Sequence, residues 1–472
     1  MTENTNEERS LIEQQLLYAG EEIEKLMDFY PCLREICHNQ RKDAYPAAVF
    51  VGAAFLGTLM TRCTYSFYHR PEELRRLNYC VYIIGDPGTG KSFAKWLYET
   101  IADPIIRQSK ISMNAVNRFK RKYKQWKDSG CKGDGPVKPK VLIRTHPART
   151  SNRVFIEDMV NAVDIVDGQK MNLHMLSFDS ELDNATNMQG EAWNNKMYLE
   201  MKAFHNEEDG QCFVDIDSML CDFSVLWNYV YTGTPMALHH KVNASNIGNG
   251  LSTRLACIPM PSSHFQMIKR EDYDPDNPKD KLTMEEQTLR MWAERLDKVY
   301  GELPIQKLVN YTWQWTADRM ADAEYNESKG DSTMCRRVPY YGINVSMPFI
   351  LMRHWDEWNE HHTLTIDETD ERLCRLIMDI QFKCQQYFFG RYWDYYYEQA
   401  GNFTAVPEQK RHTKRMKNRY WILPEEFSIY EVQSICGVRK RNAEKMIERW
   451  QSEHYIERIA PGYYRKLYLE LT

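Results

Sequence analysis

The chain has 472 residues, of which 43% are hydrophobic, enough for a sizeable core and for more than one domain. Its formal net charge of −5 is mild, so any contact with nucleic acid must come from local basic patches and not from a globally basic chain. Its 12 cysteines form no CxxC pair, which argues against a zinc site and favours buried thiols in a reducing compartment.

Residues 1–78 predict a helical N-terminal region. Apolar residues recur there at helical spacing, and a run of small and apolar residues follows at Pro46–Met60. This run is shorter than the roughly 20 residues that a membrane-spanning helix needs, so we expect it to be packed inside the protein. The polar, acidic start of the chain has no signal-peptide pattern. The sequence therefore predicts a soluble, cytoplasmic protein without a membrane partner.

Residues 79–263 predict a P-loop ATPase core. A strand at Tyr79–Ile84 leads into the pattern G-x4-G-K-S, and a helix follows, which is the context that this motif requires. Its glycines would let the backbone approach an anion closely. Lys91 would contact the β- and γ-phosphates, and the Ser92 hydroxyl would ligate Mg²⁺. The predicted nucleotide-binding residues are Gly85, Asp86, Pro87, Gly88, Thr89, Gly90, Lys91 and Ser92.

An acidic segment follows the strand predicted over Met171–Phe178. Asp179 is predicted to hold Mg²⁺ through water, and Glu181 to polarise the attacking water as a general base. In the usual pattern the two acids are adjacent, whereas here Ser180 separates them. Glu181 could instead cap the next helix.

Two further segments supply candidate catalytic residues. A strand predicted over Phe223–Thr232 ends in Thr-Gly-Thr-Pro, where Thr232 or Thr234 could contact the γ-phosphate, although this is also ordinary turn chemistry. Arg254 is predicted to stabilise the charge of the transferring phosphoryl group in a neighbouring subunit, the alternative being a surface salt bridge. Arg336 and Arg337 are weaker candidates for a nucleotide contact.

A further strand is predicted over Val141–Thr145, followed by a helix near Asn152–Ala162. Strands thus alternate with helices through this core, so we expect an α/β fold with a mostly parallel sheet. Within it, residues 108–140 carry ten lysines and arginines against two aspartates and predict a basic helical arm that returns by a loop. A DNA contact and a solvated surface helix are equal alternatives for this arm.

Two more domains are predicted towards the C-terminus. Residues 264–405 are expected to form an all-helical, lid-like domain. Residues 425–472 predict a winged helix, with two helices joined by a turn at Gly437 and a hairpin around Pro461-Gly462. Met446, Ile447 and Trp450 of the second helix are expected to face the core. Basic residues at the start of its second helix and on its hairpin are expected to contact DNA, although many winged helices mediate protein contacts instead. These residues are Arg439, Lys440, Arg441, Arg465 and Lys466.

The order of these motifs resembles that of AAA+ ATPases and superfamily III helicases. More closely, the chain resembles a family of P-loop proteins of uncharacterised function that bacterial mobile elements and phages carry, often near or fused to primases. The resemblance covers roughly residues 40–380. The matching pieces are Gly85–Ser92, Leu176–Glu181, Ala203–Gly210, Thr232–Pro235 and Gly250–Arg254.

The resemblance implies ATP in preference to GTP, Mg²⁺ as cofactor, and a role as a replication or mobilisation helicase of a mobile element. A trans-acting arginine implies a homo-oligomeric ring, for which a hexamer is expected. A second hypothesis is an ATP-dependent switch or loader that binds DNA without unwinding it. A third is a nucleotide-stabilised DNA-binding module without turnover, which only Ser180 between the two acids supports.

Overall fold

The computed structural model divides the chain into two compact units, residues 1–398 and residues 399–472. The structure describes residues 6–146, 150–181, 196–211, 221–262, 282–400, 419–436, 438 and 440–467. The predicted N-terminal helical region, P-loop core and lid-like domain all fall in the first unit, except for the last residues of the lid-like domain.

Helices dominate the described residues. They are α1 (Asn6–Leu26), α2 (Leu33–Ile36), α3 (Tyr45–Leu59), α4 (Phe93–Ile101), α5 (Asp103–Asp128), α6 (Asn152–Asn161), α7 (Met197–Ala203), α8 (Pro235–Lys241), α9 (Met284–Leu296), α10 (Gln306–Tyr325), α11 (Lys329–Cys335), α12 (Val338–Arg353), α13 (Trp355–His361), α14 (Glu368–Ala400), α15 (Ile429–Cys436) and α16 (Lys440–Ser452). Short 3₁₀ helices lie at Lys42–Ala44, Ile247–Asn249 and Ser252–Arg254.

The strands are short. They are β1 (Arg62–Thr64), β2 (Cys80–Ile84), β3 (Val163–Val166), β4 (Gln169–Asn172), β5 (Met175–Asp179), β6 (Glu208–Gln211), β7 (Cys221–Ser224), β8 (Trp227–Gly233), β9 (Ala256–Pro259), β10 (Tyr300–Glu302), β11 (Glu426–Ser428), β12 (Ile456–Ala460) and β13 (Tyr463–Lys466).

A four-stranded parallel sheet in the order β5-β8-β2-β9 forms the centre of the first unit. In register, Asp179 pairs with Tyr231, and Ile84 pairs with Gly233. Strands β2, β8 and β9 are buried along their whole length, as expected for a sheet covered by helices on both faces. The predicted α/β fold with a parallel sheet is confirmed. The side of the sheet at which the four strands end is called its carboxyl edge, and the side at which they begin is called its amino edge.

Three strand predictions differ from the structure. The segment Met171–Phe178 splits into β4 and β5, and β4 pairs antiparallel with β3. The segment Phe223–Thr232 likewise splits into β7 and β8. Val141–Thr145 forms only an isolated parallel bridge, between Thr145 and Leu176. In each case the sequence is apolar enough for one continuous strand, and the breaks follow from tertiary pairing that local patterns do not contain.

The predicted buried helix is confirmed as α3, which is apolar on every side and buried from Pro46 to Leu59. Its glycines allow close packing: a Cβ at Gly52 would lie 2.6 Å from Ile36 Cδ1, and one at Gly57 would overlap the Tyr79 hydroxyl. Helix α12 is also buried almost throughout. Side chains from these two helices and from the central sheet pack together in one hydrophobic core.

The helical region after residue 282 is joined to the sheet by buried hydrogen bonds. Asn344 Nδ2 donates to Asn78 O at 2.8 Å, and Gln381 Nε2 donates to Leu255 O at 3.0 Å. One strand interrupts the predicted all-helical stretch, since β10 pairs in parallel with the distant β1. The described part of this region therefore shares its core with the sheet.

The second unit has its own core around Phe427 and Trp450. Helices α15 and α16 pack with a three-stranded antiparallel sheet in the order β11-β13-β12. The hairpin around Pro461-Gly462 is confirmed, and so is the burial of Met446, Ile447 and Trp450 on α16. The predicted turn at Gly437 lies outside the described residues. Across both units, no described helix is long and apolar enough to cross a membrane.

Candidate functional site

The glycine-rich loop lies at the carboxyl edge, between β2 and α4. Gly88 and Gly90 have φ values of 82° and 83°, and a Cβ at either position would have no neighbour within 4 Å, so the loop is open on that side. Gly85 is needed for a different reason, because a Cβ there would lie 2.7 Å from both Met260 Cβ and Thr89 Oγ1. The loop therefore combines left-handed backbone with an exposed surface, as an anion-binding backbone requires.

Lys91 folds back along this loop. Its Nζ donates to the backbone carbonyls of Gly85 at 2.5 Å and Asp86 at 2.8 Å. Ser92 is exposed and directly precedes α4, whose amino-terminal N–H groups carry partial positive charge. The lysine ammonium, the serine hydroxyl and the helix terminus are thus gathered at one place.

The acidic segment also ends at the carboxyl edge. Asp179 is the last residue of β5, and its Oδ1 accepts a hydrogen bond from Glu181 N at 3.0 Å. Since β8 lies between β5 and β2, Asp179 is separated from the glycine loop by two strand spacings, about 10 Å. This separation leaves room for a water molecule between the Asp179 carboxylate and a Mg²⁺ ion held at the loop. Glu181 is exposed and is the last described residue before a gap in the described chain.

The two threonines have different roles in the fold. Thr232 is 2% exposed, and its hydroxyl donates to Ser180 O at 2.6 Å, which ties β8 to the segment that carries the acids. Thr234 is the N-cap of α8 and accepts from Ala237 N at 3.2 Å. The hydroxyl of Thr234 is therefore used for helix capping, whereas Thr232 positions the serine that separates the acids.

The donor set at this edge fits Mg²⁺. This cation prefers oxygen ligands and is usually held by one or two protein groups together with substrate phosphates and water. The Ser92 hydroxyl and the Asp179 carboxylate supply such oxygens at the carboxyl edge, on either side of the end of β8. The described residues contain no cluster of three or more His, Cys, Asp or Glu side chains able to hold a metal ion without a substrate.

A cavity of about 420 Å³ adjoins the loop and was not anticipated from the sequence. It lies beside Gly85 and Asp86 and is mostly apolar, with aromatic side chains from α14 on one side. His239 and Tyr392 provide polar groups, and the His239 Nδ1 and the Tyr392 hydroxyl are 3.0 Å apart. Its size and lining are those of a small-molecule site. No sequence pattern joins these residues, because they come from α1, α8, α14 and the ends of β2 and β9.

Arg254 lies at the opposite edge of the sheet. It lies two residues before Ala256, the first residue of β9, and β9 runs parallel to β2. The length of the five-residue strand β2, about 17 Å, therefore separates Arg254 from the glycine loop. Its Nη1 donates to Gly250 O at 3.2 Å, and its Nη2 lies 3.7 Å from Glu207 Oε1. Arg254 therefore does not reach the loop of its own chain. Arg337 is at this amino edge too, where it donates to Thr253 Oγ1 at 2.7 Å.

The basic arm forms the exposed half of α5, and residues 129–140 return as a loop. Three aromatic rings follow one another along this helix: Phe119 and Tyr123 have centroids 5.8 Å apart, and Tyr123 and Trp126 are 5.7 Å apart. Lys127 Nζ lies 5.1 Å from the centroid of the Tyr123 ring. The helix thus presents lysines and arginines together with aromatic surface.

Two of the basic residues in the second unit are engaged within it. Arg465 pairs with Glu426 at 2.7 Å and with Glu457 at 3.2 Å, and Lys466 Nζ donates to Leu423 O at 2.6 Å. Lys440 and Arg441 are exposed, and Arg439 lies outside the described residues. The start of α16 therefore carries more available positive charge than the hairpin.

Comparison of the chain with protein-family models gave no matching family. Comparison with curated proteins likewise gave no significant relative.

Proposed function

We propose that this chain is a P-loop ATPase that binds Mg²⁺–ATP at Gly85–Ser92 and hydrolyses it. The observation that carries the proposal is the open glycine loop at the carboxyl edge of a parallel sheet, followed by a helix terminus. Ligands of α/β sheets bind at this edge, and a helix amino terminus favours phosphate. The adjoining 420 Å³ cavity gives room for the nucleoside.

Each residue would have a distinct task in this reaction. Lys91 exchanges its carbonyl partners for phosphate oxygens, and the loop N–H groups hold the remaining phosphate charge. Glu181 accepts a proton from the attacking water. Thr232 keeps Ser180 in place and thereby sets the distance between the two acids. Magnesium, held by Ser92 and Asp179, would neutralise charge on the phosphates.

We propose that DNA is the polymer along which this ATPase translocates. The support is the basic, aromatic arm on α5 and the exposed basic start of α16, which suit phosphate contacts and base stacking. We propose a winged helix for the second unit, a homo-oligomeric ring for the assembly, and replication or mobilisation helicase activity for the whole. The alternative is a switch or loader that uses ATP without unwinding.

Steady-state ATP hydrolysis with and without single-stranded DNA tests the proposal. We expect DNA to stimulate turnover and Glu181→Gln to remove most of it, while the control Glu208→Gln keeps it. Strand displacement by the wild type indicates a motor, whereas ATP-dependent DNA binding without displacement indicates the switch. Absence of turnover under all conditions would exclude both and leave a binding module.

A further inference from the structure

A cluster of arginines gathers at the amino edge of the central sheet, away from the glycine loop. Arg75 precedes β2, Arg254 precedes β9, and Arg337 is the N-cap of α12. The side chains of Arg75 and Arg254 are only 13% and 15% exposed. Three segments distant in sequence thus bring their guanidinium groups to one place.

His205 lies among these groups. Its ring centroid is 5.1 Å from that of Tyr340, which is 8% exposed. Burial, reinforced by the charges of Arg337, Arg75 and Arg254, lowers the pKa of His205 to about 3. The imidazole is therefore neutral at physiological pH and adds no charge of its own.

The cluster is not neutralised by its carboxylates. Arg70 is a fourth arginine near Tyr340, and the described ion pairs of the cluster are with Glu73 and Glu207. The guanidinium groups of the cluster therefore outnumber the carboxylates that pair with them, and positive charge is in excess. Both carboxylates are also well exposed, at 49% and 44%, so water weakens their attraction.

Hydrogen-bond donors remain unused at the same place. The Nε atoms of Arg75 and Arg254 are buried and have no hydrogen-bond partner among the described residues. A buried donor on a charged group costs free energy when it is unpaired, and so do like charges held together at low solvent exposure. The amino terminus of α12, a 16-residue helix, adds further positive potential beside Arg337.

We propose that Arg75, Arg254 and Arg337 form a second phosphate-binding site, at the amino edge of the sheet. A phosphate dianion is opposite in sign to the excess charge of the cluster, and its oxygens fit the planar donor pattern of guanidinium groups. The phosphate could be free in solution or be the terminal phosphate of a nucleotide carried by a second copy of the chain. Only the latter source depends on the proposed ATPase function.

Phosphate binding is best measured by calorimetry in a Lys91→Ala background, which removes the main cation of the glycine loop. We expect inorganic phosphate to bind with one site per chain. Adding Arg75→Gln and Arg254→Gln should weaken this binding at least tenfold. The control, Arg375→Gln with Lys383→Gln, removes the same charge from the exposed face of α14 and should leave the affinity unchanged.

Thermal melting of each variant verifies that it is folded. If the double variant unfolds, the single variant Arg75→Gln replaces it in the binding measurement. Arg75 forms its side-chain ion pair with the exposed Glu73, so its replacement should disturb the fold little. Equal phosphate affinity in the cluster variant and the control, or no binding in the parent, would overturn the proposal. Mixing Arg254→Gln and Lys91→Ala chains identifies the source. If mixing the two variants restores ATP turnover, the phosphate at the cluster belongs to a nucleotide carried by a second copy of the chain. If the cluster binds phosphate but mixing restores no turnover, its ligand is free phosphate.

Discussion

Polar groups beside β5 at the amino edge of the central sheet are hydrogen-bonded within the chain, whereas those of the loop at the carboxyl edge are largely exposed. At the amino edge beside β5, the buried His174 bonds to Thr61 Oγ1 and Asn78 Oδ1, each at 2.8 Å. Arg144 there is buried and donates to His174 O at 2.9 Å. At the carboxyl edge, the loop Gly85–Ser92 exposes most of its residues. Polar groups that satisfy one another stabilise a fold, whereas exposed ones are available to a ligand.

The amino edge has two parts, which differ in whether their polar groups have partners. Beside β5 its polar groups have partners within the chain, but beside β9 the arginine cluster has excess charge and unused donors. The contrast separates residues whose replacement should affect stability from residues whose replacement should affect binding or catalysis. The following substitutions test that separation.

The largest effect is expected for Asp179→Asn. Loss of its charge should lower ATP turnover about 100-fold, since removal of one electrostatic contact in an active site has effects of this size. Thermal stability should stay close to that of the wild type, because Asp179 is at the end of β5 and partly exposed. The control Asp222→Asn, on an exposed hairpin residue, should keep full turnover. Equal turnover in both variants would contradict the metal-holding role.

Arg144→Ala should act on stability instead. Its removal leaves the carbonyls of His174 and Thr58 without their donor in the interior, so we expect a loss of about 3 kcal/mol in the free energy of unfolding. Chemical denaturation measures this. The exposed Arg34 pairs with the exposed Asp28, and Arg34→Ala should cost less than about 1 kcal/mol. Similar losses in the two variants would show that the buried network is not stabilising.

The arginine cluster predicts a pH dependence. The pKa of His205 is lowered by burial and by the arginines to about 3, so the folded state disfavours its protonation. Its contribution to stability is full above the unfolded pKa of about 6.5. That contribution falls by about 1 kcal/mol per pH unit as the pH drops towards 3. Below pH 6, His205→Gln should therefore lose less stability than the wild type, and parallel curves would contradict this.

The smallest effect is expected for a pair of glycines. Gly90 and Gly130 have φ values of 83° and 78°, and a Cβ at either would meet nothing within 4 Å. Alanine at each should cost about 1 kcal/mol of stability from left-handed backbone strain. Only Gly90→Ala should also weaken ATP binding, because only Gly90 is in the loop Gly85–Ser92 at which we propose that phosphate binds. Weaker ATP binding by both variants would indicate a global effect.

Much of the fold could be predicted because its signals are local. The strand before the loop follows from its motif, the buried helix α3 from its apolar run, and the hairpin at Pro461-Gly462 from its turn chemistry. The pairing of β1 with β10 joins residues more than 200 positions apart, and no local pattern contains it. For the same reason the sequence suggested Arg254 and Arg337 as separate candidates and gave no sign that Arg75 lies beside them. The segment Ala203–Gly210, which carries His205 and Glu207, was picked out by resemblance and not by any expected contact with these arginines. The cavity beside the loop likewise depends on five separate segments.

Equilibrium binding of Mg²⁺–ATP tests the central proposal most directly. Wild type, Lys91→Ala and Lys95→Ala should be compared by calorimetry, since Lys95 is an exposed lysine one turn further along, 3.8 Å from Glu99. We expect wild type and Lys95→Ala to bind one nucleotide per chain with equal affinity, and Lys91→Ala to bind at least tenfold more weakly. Equal affinity in all three proteins, or no binding to the wild type, would contradict a phosphate site at Gly85–Ser92.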